Sequence, residues 1–455
     1  MSSKVMQEVL SQRVELERLG RPSRKAAQAV VSAHFKVLEG QGLKPSLREV
    51  LGNAEQLGGQ ERRFVALAVR ELSRHRRLLD ALAKHVGQPP GKWLRAEDQA
   101  IARYTLWRTH LGHGGPERAL VEMRLPGPIR PRTVSDAVLE AMAQASIEGF
   151  EADGEPWERV AMLRSFPNWV AKRLAEQLPA EELDGLFGAL NREPDLILRA
   201  RPPGRRDEVV AQLAAEDLAV EPLGLLADAL VQRGSGARIF ESAAMKSGRL
   251  QVQDLGSQLI CALCEPDGGF AGKKILDLCA GAGGKTLTLA DQVGPSGQLV
   301  AADRSRRRLD DARLRARQLG LRNVSFPKEP ALGGCDVVLI DAPCSGVGSF
   351  AREPDLKWRT TEASVQKLCV TQKELLEKVV AGARPGALIV YATCSLLREE
   401  NELQIEQLRQ RHPSLQLEDA ARWLPPEVCQ DGYLRAWPHR VPGGGFFAAR
   451  LRKPH

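Results

Sequence analysis

The sequence is short of several things. No stretch of its 455 residues approaches the roughly 18 consecutive apolar residues of a membrane-spanning helix. The opening MSSKVMQEVLSQRVELERLG (1–20) lacks the apolar block of a secretory signal. These absences give the expectation of a cytoplasmic protein with no membrane partner, whose eight cysteines are reduced. Aromatic residues make up 5% of the chain, too few for an extended base-stacking platform. Cys261 and Cys264 form a CxxC in SQLICALCEPD (257–267), but no second pair stands at zinc spacing. They sit in an apolar, helix-like run and read as buried thiols, so no metal is expected. A Walker A loop is missing too: DLCAGAGGKT (277–286) ends like one, but Cys279 stands where GxxxxGK[ST] needs glycine. Neither an internal repeat nor a low-complexity tract is present.

What is there suggests two to three domains, since the chain is too long for one ordinary core. The net charge of +8 fits a nucleic-acid partner, although an arginine-rich composition gives the same sum without one. Residues 1–148 read as an all-α bundle, with apolar residues at helical spacing in 23–40, 46–54, 59–86 and 97–112. Past the breaker-rich RLPGPIRPRT (124–133), Ser135 reads as the N-cap of a helix over 135–146. Residues 150–245 mix helices with short strand-like pieces such as DLILRAR (195–201), a small α+β domain. From 246 to 455 the pattern is strand, loop, helix, which predicts an α/β, Rossmann-like domain with a mostly parallel sheet.

Three loops in that last domain carry chemistry. DLCAGAGGKT follows a strand and opens a helix, and its glycines let backbone approach a ligand closely. Asp303 ends the next strand, where an acid commonly accepts hydrogen bonds from ribose hydroxyls. A nicotinamide cofactor and S-adenosylmethionine both fit this much. Cys344 in LIDAPCSGVGSF (339–350) and Cys394 in ALIVYATCSLLREENE (387–402) each fall where an apolar strand becomes a loop. Ligands bind at that edge of an α/β sheet, so two thiols are aimed at one site.

Together, DLCAGAGGKT, DAPCSGVGSFAREPDLKWR (341–359) and YATCSLLREENE (391–402) resemble the RNA cytosine-5 methyltransferases of the RsmB/Sun group and their NSUN relatives. The similarity reaches upstream through SFPNWVAKRL (165–174), NREPDLILRA (191–200) and LQVQDLGSQL (250–259), and ERRFVALAVRELSRHRRLLD (61–80) looks NusB-like. The resemblance implies a NusB-like RNA-binding bundle, a linker domain and a class I methyltransferase domain. It implies methylation of carbon 5 of a cytosine, in 16S ribosomal RNA or a small-subunit precursor; a monomer is expected. Cys394 then attacks carbon 6 of the base, Asp341 hydrogen-bonds ring nitrogen 3 as a protonated acid, and Cys344 helps resolve the adduct. Lys285 lies near the centre and helps keep the nucleophile as thiolate. S-adenosylmethionine is implied along Cys279, Ala280, Gly281, Ala282, Gly283, Gly284 and Lys285, with Asp303 on the ribose, Glu329 near the adenine and Asp341 lining the site. The loop departs from the usual CAAPGGK by carrying Gly281 and Ala282, which keeps it small but less rigid.

Arg352, Lys357 and Arg359, just after the DAPC loop, are the candidate RNA contacts. The arginines between 304 and 317 read as a solvated helix face, and the run from Arg70 to Arg77 as either RNA contact or solvated surface. Two other readings compete. A non-catalytic RNA-binding or assembly factor would not need Cys344, Cys394, Asp341 and Lys285 together. A methyltransferase acting on protein or a small molecule would leave both thiols and the upstream domains unexplained.

Overall fold

The computed structural model describes residues 22–88, 95–111, 119, 134–146, 150, 152–233 and 236–455. The opening segment 1–20 and the stretch 124–133 lie outside the described residues. The chain divides into two compact units: residues 1–192 with Phe350–Arg359, and Glu193–Ser349 with Thr360–His455.

The first unit is helical. Ser23 caps α1 (Arg24–Leu38) by accepting from the Ala26 amide at 3.2 Å. Next come α2 (Leu43–Gly52), α3 (Gly59–Arg74), α4 (Arg76–His85) and α5 (Ala96–Leu106). Ser135 caps α6 (Asp136–Gln144), and α7 (Pro156–Leu163), α8 (Asn168–Ala175) and α9 (Ala180–Asn191) follow. The apolar spacing over 59–86 reads as one helix, but the structure breaks it at His75. The reason is distant in sequence: Ser165 Oγ accepts from the Arg77 amide at 2.8 Å, so α4 begins with a donor satisfied from outside. Val30, Phe64, Val69, Leu72, Leu79, Leu82 and Tyr104 fill the core.

Ten residues from late in the chain complete this unit. Phe350 is fully buried, its ring 6.2 Å from Phe166, which stacks on Phe187 at 4.0 Å. The Lys357 ammonium donates to Arg74 O (2.8 Å), Ser165 O (3.0 Å) and Asn191 Oδ1 (2.8 Å), using all three hydrogens, and lies 4.3 Å above the Phe166 ring. Trp358 Nε1 donates to Ser73 O at 2.6 Å.

The second unit holds two sheets. The smaller has β1 (Leu196–Ala200), β2 (Glu221–Pro222), β3 (Ala229–Gln232) and β4 (Leu250–Val252), in the order β2-β3-β1-β4 and antiparallel throughout. Leu198, Leu230 and Leu250 on one face meet Val209 and Leu213 of α10 (Arg206–Ala214). Ile197 and Val231 on the other pack with Leu255 and Leu259 of α11 (Leu255–Leu263). Cys261 and Cys264 are buried in that cluster, as their apolar context suggests.

The larger sheet contains β5 (Lys274–Asp277), β6 (Gln298–Ala301), β7 (Val324–Ser325), β8 (Val337–Asp341), β9 (Leu388–Thr393), β10 (Gln416–Glu418), β11 (Cys429–Gln430), β12 (Tyr433–Ala436) and β13 (Phe446–Arg452). Its order is β11-β12-β13-β9-β8-β5-β6-β7, with β10 also paired to β13. Alternate residues serve opposite faces: Ile275, Val337, Leu339 and Val390 pack towards α11 and α12 (Gly284–Val293). Leu276, Val338, Ile340 and Ile389 pack towards α14 (Glu362–Gly382) and α15 (Glu402–Arg411), while α13 (Arg306–Gln318) links β6 to β7. Burial on both faces explains the unbroken apolar strands.

The sheet is mixed, not mostly parallel. β5 to β9 run parallel, but β13 pairs antiparallel with β9, and β10, β11 and β12 continue in that sense. Connection length accounts for the β12–β13 pair, which is joined without the crossover helix that a parallel pair needs.

Candidate active site

The parallel core brings three strand ends to one edge. β5 ends at Asp277, β8 at Asp341 and β9 at Thr393, with Asp341 in register with Ala392. Cys394 is the next residue after β9, and Cys344 lies three residues beyond β8. Their sulfurs are 3.3 Å apart, so one thiol hydrogen-bonds the other. Two glycines permit the approach. Gly348 N donates to Cys394 O at 3.0 Å, and Gly445 N to Gly348 O at 2.8 Å. A Cβ on Gly348 would stand 2.1 Å from the Gly445 carbonyl oxygen.

The thiols are not equivalent. The Cys344 S–H donated to Cys394 holds the Cys394 pKa below its ordinary value, against burial and the Asp341 charge, with help from Ser349 and Lys285. The same hydrogen bond, burial, and the charges of Cys394 and Glu400 push Cys344 far upward. Of the two, Cys394 is therefore the one that gives up its proton more readily. Lys285, in the first turn of α12, meets Asp341 Oδ2 at 2.7 Å. Burial would lower the lysine, but the Asp341 charge and hydrogen bond outweigh it and leave its pKa raised. Its effect on Cys394 is the smallest of those named, so its first partner is Asp341. Oδ2 of Asp341 is thereby an acceptor, which leaves Oδ1 for a ligand.

The glycine loop meets Asp303 as the sequence suggests. Gly281 N donates to Asp303 Oδ2 at 2.9 Å, and Ser305 N to Oδ1 at 2.7 Å. Arg308 Nη2 also donates to Oδ1, at 3.1 Å, so of the roughly four acceptor positions of a carboxylate one remains for a ribose hydroxyl. Gly283 has φ +85°, and a Cβ there would lie 2.8 Å from the Ala312 Cβ. Ala280 N donates to Ala302 O, and Ala282 O accepts from Arg315, which fixes the loop against β6 and α13. Cys279 is half-buried, its thiol pushed up to about 12 by burial. Asp277 is a residue that the sequence reading passed over. It is 1% exposed; Oδ2 accepts from Thr286 Oγ1 at 2.7 Å, while Oδ1 has no partner. Burial raises its pKa to about 7. Its signal in the sequence is an acid ending an apolar strand directly before the glycine loop. An orphaned buried carboxylate oxygen beside a tight glycine turn, with Asp303 on the next strand, fits a cofactor carrying an ammonium group and ribose hydroxyls.

Other expected residues stand elsewhere. Glu329 is exposed on the stretch after β7 and pairs with none of the loop residues. Arg352, Lys357 and Arg359 belong to the first unit. Lys357 is a correction: it is fully buried and hydrogen-bonded three times, so it offers nothing to RNA. Arg359 is exposed and pairs with Asp355 at 3.1 Å. The run Arg70–Arg77 is no simple charged surface either, because Arg74 is 1% exposed and donates to Ala351 O. Arg306, Arg307, Arg308 and Arg317 do lie exposed along α13. Among the described residues no group of three or more His, Cys, Asp or Glu could hold a metal, and no helix is long and apolar enough to cross a membrane.

Residues 269–452 match the family of 16S rRNA methyltransferases RsmB/F, and residues 166–235 match the ferredoxin-like domain of RsmF/B-like methyltransferases. The chain belongs to the RsmB/Sun methyltransferase family. That family acts on small-subunit ribosomal RNA and depends on S-adenosylmethionine. The chain is 28% identical over 415 residues to a probable ribosomal RNA small subunit methyltransferase B of Synechocystis, spanning 87% of this chain and 92% of that one. It is 31% identical over 296 residues to ribosomal RNA small subunit methyltransferase B of Yersinia pestis, spanning 63% and 66%. Among solved structures, PH0851 overlays with a TM-score of 0.71 at 22% identity, covering 95% of this chain and 99% of that one. NSun6 from Pyrococcus horikoshii, solved with SFG, gives 0.56 at 19% identity over 64% of this chain and all of that one. Both likenesses concern the fold: a Rossmann-like domain with a mixed sheet.

Proposed function

We propose that this RsmB/Sun protein methylates carbon 5 of a cytosine in 16S ribosomal RNA, with Cys394 as nucleophile. The observation that carries the reading is the 3.3 Å pair of unequal thiols beside the Lys285–Asp341 ion pair. Carbon 5 of cytosine is a weak nucleophile, and a thiolate added at carbon 6 makes it an enamine carbon. The Cys394 thiolate forms the sulfur–carbon 6 bond, and the electron pair of the 5,6 double bond is drawn towards nitrogen 3. Asp341, with Lys285 holding Oδ2, takes a proton from solvent on Oδ1 as the base binds and donates it to nitrogen 3, which gives it back when the ring is restored. S-adenosylmethionine, when bound along Cys279 to Lys285 with Asp303 at its ribose, supplies the methyl group. Loss of the carbon 5 proton to a base then lets the sulfur–carbon 6 bond break, which restores the ring. Cys344, whose sulfur lies 3.3 Å from that of Cys394, is placed to protonate it as it leaves. The target base has to leave its stack to reach these groups. Residues 1–148 are proposed as a NusB-like RNA-binding bundle, on the strength of α3 and α4 and the sequence likeness over 61–80; Arg352 and Arg359 remain candidate RNA contacts beside the thiol loop in sequence.

The test is a trapped adduct. Cys344→Ala protein, given S-adenosylmethionine and 16S ribosomal RNA, should accumulate a covalent protein–RNA species in denaturing gels, and Cys344→Ala/Cys394→Ala should not. If no adduct forms and the wild-type protein adds no methyl group to cytosine, the reading is wrong.

A further inference from the structure

Each thiol is followed in the chain by a serine, and both serines converge on one buried acid. Glu400 ends the short turn after β9 and is fully buried. Its Oε1 accepts from Ser345 N at 2.8 Å and from Gln372 Nε2, on α14, at 3.1 Å. Its Oε2 meets Ser345 Oγ at 2.5 Å, and Ser345 Oγ meets Ser395 Oγ at 3.2 Å. Gln372 Nε2 also donates to Pro343 O at 2.9 Å, next to Cys344 on its other side. Tyr391 Oη donates to the Glu400 carbonyl at 2.6 Å, which fixes the turn to β9. Behind Ser395, Asn401 accepts from Thr393 Oγ1 at 2.6 Å and donates to Ser395 O at 2.9 Å.

We infer that Glu400 is a positioning residue that holds the loops of Cys344 and Cys394 at contact distance and, through its charge, keeps the thiolate on Cys394. The geometric half follows from the hydrogen bonds: the grip on Ser345 is direct, and the grip on Ser395 passes through the Ser345 hydroxyl. The electrostatic half follows from which thiol Glu400 faces. Its charge is among the causes that raise Cys344 and is absent from those acting on Cys394, which Lys285 and Ser349 favour as thiolate. The titratable groups facing Glu400 are Cys344, Cys369 from α14, Tyr391 from β9 and, on its own turn, Glu399. Cationic side chains are not among its hydrogen-bond partners. Burial raises its pKa, and the donors of Ser345 and Gln372 oppose that shift. Glu400 receives two N–H groups on Oε1 and the Ser345 hydroxyl on Oε2, and donors on both oxygens favour the carboxylate.

This rests on the thiol chemistry proposed above, but its test needs neither RNA nor cofactor, so the two can fail separately. The full-length protein would be alkylated with limiting iodoacetamide from pH 6 to 10, and the modified cysteines followed by peptide mass spectrometry. In the wild type, Cys394 should react at least about tenfold faster than Cys344 at pH 8, one pH unit of difference being a factor of ten in thiolate. Glu400→Gln keeps the shape and most hydrogen bonds but removes the charge. It should speed Cys344 alkylation about tenfold at pH 8 and shift its pH midpoint down by about one unit, with Cys394 less favoured. Equal rates for the two thiols in the wild type overturn the inference, however the variant folds. An unmoved Cys344 profile in folded Glu400→Gln protein overturns it too.

Discussion

Asp277 carries one hydrogen bond where a buried carboxylate wants several. Its pKa rises from an ordinary 3.8 to about 7, chiefly through burial, so the folded state holds a proton that the unfolded chain releases. The stabilising effect of that proton is complete below about pH 4 and is lost as pH climbs through 7. Asp277→Asn should remove the loss. Between pH 5 and 8 the variant should gain about 2–3 kcal/mol relative to wild type, read from urea unfolding at both pH values. An equal gap between the proteins at both pH values would contradict the assignment. At this scale much of the site was legible in the sequence. Cys344, Cys394, Asp341 and Lys285 are unusual residues in strand-end settings, and a thiol pair needs a reason. Lys357 was misread because a charged residue beside a catalytic loop gives no sign of burial; its acceptors lie 166 to 283 residues away.

The elements around the thiols meet at Gly348, where the loop after β8, the end of β9 and the approach to β13 exchange backbone hydrogen bonds. Gly348→Ala forces a methyl group against a backbone carbonyl, which no side-chain rotation relieves. We expect a loss of about 1–3 kcal/mol, as for other overpacked sites, and a fall in adduct yield of at least tenfold. Thermal unfolding and the denaturing-gel assay would measure these; an unchanged adduct yield would show that the three segments need not touch. Strands β5, β8 and β9 were legible because both their faces are covered, which writes continuous apolar runs. The antiparallel sense of β13 was not, since GGFFAARLRK reads the same in either direction. Nor was the break at His75, which depends on Ser165 and not on the residues of α3 and α4.

At the scale of the whole molecule, the chain crosses into the first unit twice, once at its start and again at Phe350–Arg359. A fragment of residues 193–455 would keep that ten-residue segment without the surroundings that bury Phe350 and Lys357. It should unfold several degrees below the full-length protein and bind more hydrophobic dye. A melting temperature equal to that of the second unit in the intact protein would argue that the segment contributes little. The spacing of apolar residues gave the helical start and the α/β end, but contacts across such separations leave no local pattern, so the place where the units divide could not be read.

The same segment orders events during synthesis. Asn191 leaves the ribosome 166 residues before the lysine whose ammonium it accepts. Ser165 and Arg74 leave 192 and 283 residues before it, so at ~5–20 residues per second their carbonyls wait on the order of ten to sixty seconds without their cation. The helical unit thus stays open to late correction until the loop bearing Cys344 has been made.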